Sequence, residues 1–226
     1  MIDDLKVVRH ATARTVRLSL DPVTGRARLT LPRRAALRSA LVWADGKADW
    51  LAAQRAGLPE ARPFVAGAVL PVAGEDLTID WRAGKRLVVR REGDRLLAEG
   101  PAETLGRRVE AWLRREALAV LSADTAAVAA RAGVRVTRVA VGDARGRWGS
   151  CASTGVIRYS WRLLLAPPSV RRSTVAHEVA HRVHMHHGPA FHALAAALDD
   201  GDPAAAGAWL KRHGAGLHWF GRSNES

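Results

Sequence analysis

The segment His177-Glu178-Val179-Ala180-His181 restricts what the chain around it can fold into more than any other stretch. Two histidines four residues apart come close on one face when they lie on a helix, where they are about 6 Å apart along the axis and about 40° apart around it. Glu178 then stands beside the pair. Ten residues after His177 comes His187, and Gly188-Pro189 follows at once. Proline lacks the backbone donor and clashes with the preceding turn, so no helix through His181 can continue past Pro189. His187 is therefore expected at a helix end, where the chain can fold back towards the first two histidines. Pro167-Pro168 is expected to start the first helix, Pro189 to open a second one through Leu198, and Asp202-Pro203 to open a last one ending near Gly214.

Three imidazoles with an adjacent carboxylate suit a divalent metal. Neutral imidazole binds zinc at about 2.0–2.1 Å, and three protein ligands leave a fourth position for water. The expected cofactor is one Zn²⁺ per chain, held by His177, His181 and His187, with Glu178 as general base. With nine histidines in 226 residues, a random order yields only ~0.01 such five-residue patterns per chain. Between Ala144 and Leu198, Glu178 is the only acid, so no other carboxylate nearby in sequence competes for the role. His184 shares the helical face and competes with His187 as third ligand; otherwise it is expected to contact substrate or support the ligands. A distal carboxylate, Asp199 or Asp200, is a further alternative. Seven arginines lie in the same stretch, and Arg147 is singled out for an anionic group or a developing oxyanion. The strand expected from Val156 to Trp161 is read as flanking the cleft and pairing with an extended peptide, with Tyr159 as a transition-state donor.

Composition narrows the setting. The chain is 48% hydrophobic and 25% charged, which fits a globular protein. No apolar run approaches the roughly 18 residues of a membrane span, the start has no apolar signal core, and Cys151 is the single cysteine. A cytoplasmic protein without a membrane partner is expected. The net charge of +13 favours nucleic acid or nucleotides as partners besides a peptide or protein substrate. Residues 5–38 hold Lys6 and eight arginines against one acid, Asp21.

The expected fold class is α+β. Residues 1–100 read as a small β-rich region with one helix. Residues 14–20 and 26–31 alternate around a Pro-Val-Thr-Gly turn as a hairpin, a helix follows over 34–56, and strands recur near 76–82, 86–91 and 94–99. Trp43, Trp50 and Trp81 are expected in the core. Residues 101–226 read as a catalytic domain. In it a long helix stops at Gly133, strands lie near 134–141 and 156–161, and a Gly-rich basic loop spans 142–149.

Several segments together resemble the YgjP-like metallopeptidase family, a relative of the SprT-like proteases. They are Arg147-Trp148-Gly149-Ser150-Cys151, Ile157-Arg158 with Trp161-Arg162-Leu163, Ala166-Pro167-Pro168, the His177–His181 pattern, and His187-x-Pro189-x-Phe191. The resemblance implies a zincin-type domain with the active-site helix beside an antiparallel sheet. It also implies ligands His177, His181 and His187, a catalytic Glu178, and peptide hydrolysis. Ser160 and His192 stand where that family commonly has Asn and an aromatic. Some members are described as nucleotide pyrophosphatases, so hydrolysis of nucleotides is the alternative activity, and a nucleic-acid-associated SprT-like protease is another.

Overall fold

The computed structural model describes residues 2, 4–86 and 88–223. They form two compact units, Met1–Glu60 and Ala61–Ser226. In the first, β1 (Lys6–His10), β2 (Arg17–Leu20) and β3 (Ala27–Pro32) make a sheet of order β1-β3-β2. The expected hairpin is there, with β2 antiparallel to β3. β1 pairs parallel to β3, a pairing no local pattern announces. The helix expected over 34–56 is two helices, α1 (Leu37–Asp45) and α2 (Ala48–Ala56), separated at Gly46-Lys47. Gly46 closes α1, because glycine ends helices more readily than any other residue but proline. Leu18, Ala27, Leu29, Leu31, Ala40, Ala44 and Leu51 form this unit's core. Trp43 and Trp50, expected inside, are each 42% exposed: Ala40, Ala44 and Leu51 supply the buried helix positions instead.

The second unit holds a four-stranded sheet of order β4-β5-β7-β6, with β4 (Val69–Val72), β5 (Glu75–Arg82), β6 (Val88–Glu92) and β7 (Arg95–Glu99). Its alternating Leu77, Ile79, Leu96 and Ala98 enter the same core as the helices that follow. Ala73 N–H donates to the Leu164 carbonyl at 2.8 Å. The sheet thus shares one core with residues beyond 100, and the compact units divide forty residues before the boundary expected from the change of pattern. Trp81 is partly buried and donates its indole N–H to the Gly100 carbonyl at 3.0 Å.

α3 (Leu105–Ala132) is the spine of this unit. Leu105, Val109, Trp112, Leu113, Ala117, Leu121, Val128 and Ala129 recur at helical spacing and are buried. Gly133 ends α3 in the left-handed conformation, φ 62°, with its N–H returned to the last turn. Two polar contacts hang the site's elements on α3. Arg171 donates to Asp124 at 2.8 Å, and the Tyr159 hydroxyl shares a 3.0 Å bond with Thr125. The sheet of β8 (Arg138–Gly142), β9 (Gly149–Cys151) and β10 (Val156–Ser160) has order β8-β10-β9. It is mixed where an antiparallel sheet was expected: β10 runs parallel to β8 and antiparallel to β9. A 3₁₀ turn over Trp161–Leu165 leads to α4 (Pro168–Ala180), then α5 (Pro189–Leu198) and α6 (Pro203–Leu217). The fold is mixed α/β, with six α-helices and three small sheets among the described residues. No helix among them is long and apolar enough to cross a membrane.

A buried polar knot ties the Gly142–Gly149 loop to the end of α6. Arg162, 7% exposed, donates to both Asp143 oxygens at 2.7 and 3.1 Å and to the carbonyls of Leu217 and Phe220. Burial pushes the Asp143 carboxyl up, but Arg162 outweighs it and holds the net value below the usual range. His218 is buried within 4.0 Å of Asp143, and burial, with Arg162 adding to it, lowers the imidazole to about 4. The folded state therefore keeps His218 neutral, and protons bind the unfolded chain first. Stability is expected to be complete above pH ~6.5 and to fall as pH drops from there towards ~4, by about 3 kcal/mol from this residue. Asp143, also held low, acts in the same sense at lower pH: its contribution is present above the ordinary carboxylate range and is lost as pH falls through it. Urea unfolding across that window should show a shallower pH slope for His218→Gln than for wild type; parallel slopes would remove the assignment.

Candidate metal centre

α4 carries the first two histidines because its Pro168 start and buried Val170, Thr174, Val175 and Val179 set its register against the core. The helix ends at Ala180, earlier than the proline at 189 demands, and His181 is its C-cap residue. Arg182, Val183 and His184 bond back to Val179 and Ala180 in tight turns. The reason for the early end is visible in the ligand geometry. His181 Nδ1 donates to the His184 carbonyl at 3.1 Å, which requires the backbone at 184 to leave the helix. With Nδ1 protonated, Nε2 carries the lone pair and is free for a metal. His184 thus contributes its backbone to the site, and its ring is not part of the cluster.

His177, His181 and His187 come together, with one ring nitrogen of each within 4.8 Å of the others. His187 Nε2 lies 3.1 Å from His177 Nε2. Two nitrogens bound tetrahedrally to one zinc at about 2.0–2.1 Å would be ~3.4 Å apart, so the donor set fits that ion with a small adjustment. Burial, reinforced by the neighbouring histidines, lowers His177 to about 4. Burial also lowers His181, against the opposing bond to His184. Both rings are therefore neutral, the ligating form. Phe191, 1% exposed on α5, places its ring 4.5–4.9 Å from all three imidazoles. The sequence gives Phe191 no chemical signal; only its place two residues after Pro189 marks it. The alternative carboxylates are elsewhere: Asp200 pairs with Arg131, and Asp199 is outside the histidine cluster.

Glu178 is 5% exposed, and its Oε2 is buried without a hydrogen-bond partner. Burial pushes its carboxyl up to about 7, with Arg147 pulling the other way. The close neighbour is β9. A Cβ on Gly149 would sit 2.4 Å from Glu178 Oε1, so this glycine is a matter of approach, and its Cα lets the strand run against the carboxylate. Trp148 beside it rests on α6, where a Cβ on Gly214 would meet its ring at 2.7 Å. The expected end of α6 at Gly214 is therefore a packing glycine inside a helix that continues to Leu217. Gly149→Ala should shift the Glu178 carboxylate and leave the three histidines in place. Hydrolytic activity is expected to fall about 10²-fold with metal content unchanged, since displacements near 1 Å cost that much. Equal activity in the variant would show that the approach is incidental.

His177 and Glu178 open into a cavity of about 660 Å³ also lined by Arg147, Trp148, Thr174 and Asp199. Of the seven local arginines, Arg162 and Arg171 are tied to carboxylates and Arg182 to backbone carbonyls. Arg147 is exposed and reaches this cavity. Two expectations for β10 are corrected. It is the central strand, paired on both sides, so it has no edge to offer a peptide. Tyr159 is 1% exposed, bonded to Thr125 and absent from the cavity lining, because inward alternation on β10 spends it in the core. The strand beside the carboxylate is β9, which starts at the last residue of the Gly-rich loop and was not expected.

A family model for the YgjP-like metallopeptidase domain matches residues 14–213. No curated protein and no solved structure matches the chain.

Proposed function

The chain belongs to the YgjP-like metallopeptidase family, a family of metal-dependent hydrolases, and on that premise we propose that it is a zinc-dependent peptidase with Glu178 as general base. The observation that carries the proposal is the buried, unpartnered Glu178 Oε2 beside three converging imidazoles. His177, His181 and His187 would hold the metal. Zinc bound there supplies a Lewis acid that polarises the scissile carbonyl and makes water nucleophilic near neutral pH. Glu178 Oε2, with no protein donor to satisfy it, accepts the proton of the attacking water and returns it to the leaving amine. Phe191 and the core under α4 exclude water from the back of the imidazoles.

β9 supports the substrate class. It pairs with β10 on one side only, and its residue Gly149 touches Glu178. An extended peptide added along the open edge of β9 would run its scissile bond past the carboxylate. Arg147 at the start of this segment would meet a peptide carbonyl or a carboxylate of the substrate. Nucleotide hydrolysis finds less support, since three of the seven arginines that suggested it are engaged within the protein. The test is hydrolysis of a mixed-sequence quenched peptide library by zinc-loaded protein, beside a nucleoside triphosphate panel. Peptide cleavage abolished by chelation and restored by zinc is expected. Phosphate or pyrophosphate release without peptide cleavage would replace the proposal with the nucleotide reading.

A further inference from the structure

One face of the first unit's sheet is basic. Leu18, Ala27, Leu29 and Leu31 point inward to the core. Alternation along the strands therefore turns Arg28 and Thr30 of β3 to the opposite face. The register places Lys6 and Ser19 on either side of Arg28, and Val8 and Arg17 on either side of Thr30. The three strands contain no acidic residue. Lys6, Arg17 and Arg28 are exposed, and among the described residues their charged groups make no ion pair or hydrogen bond. Lys6 lies directly opposite Arg28, a like-charge pairing that disfavours the sheet unless something neutralises it.

The end of the same sheet adds to the charge. Arg9 donates to the carbonyls of Pro32, Arg33 and Ala35 at 2.7–3.1 Å. This fixes the turn that exposes Arg33 and Arg34 after β3. Residues two apart on a strand are ~6.6 Å apart, so the cations are spread as an array, which suits a polyanion. The face presents no exposed Trp, Tyr, Phe or large aliphatic side chain that could enter a lipid interface. Its exposed ring, His10, stands at the end of the face opposite Pro32 and can stack on a base without reading its identity, so sequence preference is not expected.

We propose that this sheet face binds the phosphate backbone of nucleic acid, with Lys6, Arg17 and Arg28 at its centre and Arg33 and Arg34 at its rim. The proposal is independent of the peptidase reading. It is tested on the full chain by fluorescence anisotropy, using a labelled mixed-sequence DNA duplex and the corresponding single strand across a salt series. Binding to one or both is expected. The triple variant Lys6→Gln, Arg17→Gln, Arg28→Gln should weaken it about tenfold or more and lower the logarithmic salt slope by about 3. The matched control Arg107→Gln, Arg115→Gln, Arg212→Gln removes the same charge from exposed positions on α3 and α6 and should keep the wild-type slope. Should the first triple variant misfold, Ser19→Glu with Thr30→Glu puts acids on the same face and should weaken binding alike. Three results overturn the proposal: no binding of either DNA at low salt, equal loss in both triple variants, or binding to phosphatidylserine vesicles with none to DNA.

Discussion

Glu178→Gln is expected to lower peptide hydrolysis by on the order of 10³-fold while the protein keeps its zinc. Glutamine has the shape of glutamate, so the close approach of Gly149 to this side chain is preserved. The imidazoles are unaffected, because none of them bonds to Glu178: His181 is oriented by the His184 carbonyl, and His177 and His187 pack on Phe191. What the variant loses is the unpartnered carboxylate oxygen that stands next to the first histidine ligand, Oε2. Asp199 also lines the cavity and has an unpartnered Oδ2, but it stands outside the histidine cluster. Metal content and activity must be measured on the same preparation. Loss of both would show that Glu178 holds the site together; loss of neither would end its role as base. The thermal midpoint should not fall, since a buried carboxylate without a donor is an expense to the fold that a neutral amide reduces.

The parts of this site legible in the sequence are those set by short-range chemistry. Pro168, Pro189 and Asp202-Pro203 start their helices where the residues require, and Asp202 accepts from the Ala204 and Ala205 N–H groups as a capping residue does. The convergence of His187 was legible for the same reason, as a spacing followed by a helix breaker. What escaped depends on residues distant in sequence. Gly149 lies 29 residues before Glu178, and nothing local distinguishes a glycine of close approach from one in a turn. Tyr159 shares the parity of Ile157, opposite exposed Arg158, and only the packing of that face against α3 through Thr125 shows that it belongs to the core and not to the cleft. The parallel pairing of β1 with β3 and the sharing of one core across residue 100 are likewise tertiary choices. Trp43 and Trp50 show the reverse error: size and hydrophobicity argue for burial, but a nine-residue helix buries one narrow stripe, filled by Ala40 and Ala44 in α1 and by Leu51 in α2.

His187→Ala and His184→Ala should separate sharply, although the two histidines are three residues apart and equally plausible by composition. His187 supplies a ring nitrogen 3.1 Å from that of His177, so its removal leaves two ligands where the donor set needs three. Zinc affinity is expected to fall well beyond the ~10–100-fold that follows from losing a ligand's supporting partner. Activity should disappear with it at ordinary zinc concentrations. His184 supports the site through its carbonyl, and alanine has the same carbonyl. His184→Ala is therefore expected to bind zinc within a few-fold of wild type, and its activity should change only through contacts of the ring with substrate. Competition against a chromophoric chelator gives both affinities directly. If His184→Ala loses zinc and His187→Ala keeps it, the ring at 184 rotates into the cluster when metal binds, and the triad drawn from this geometry is wrong. If neither loses it, Asp199, the remaining carboxylate in the cavity wall, becomes the third ligand to test.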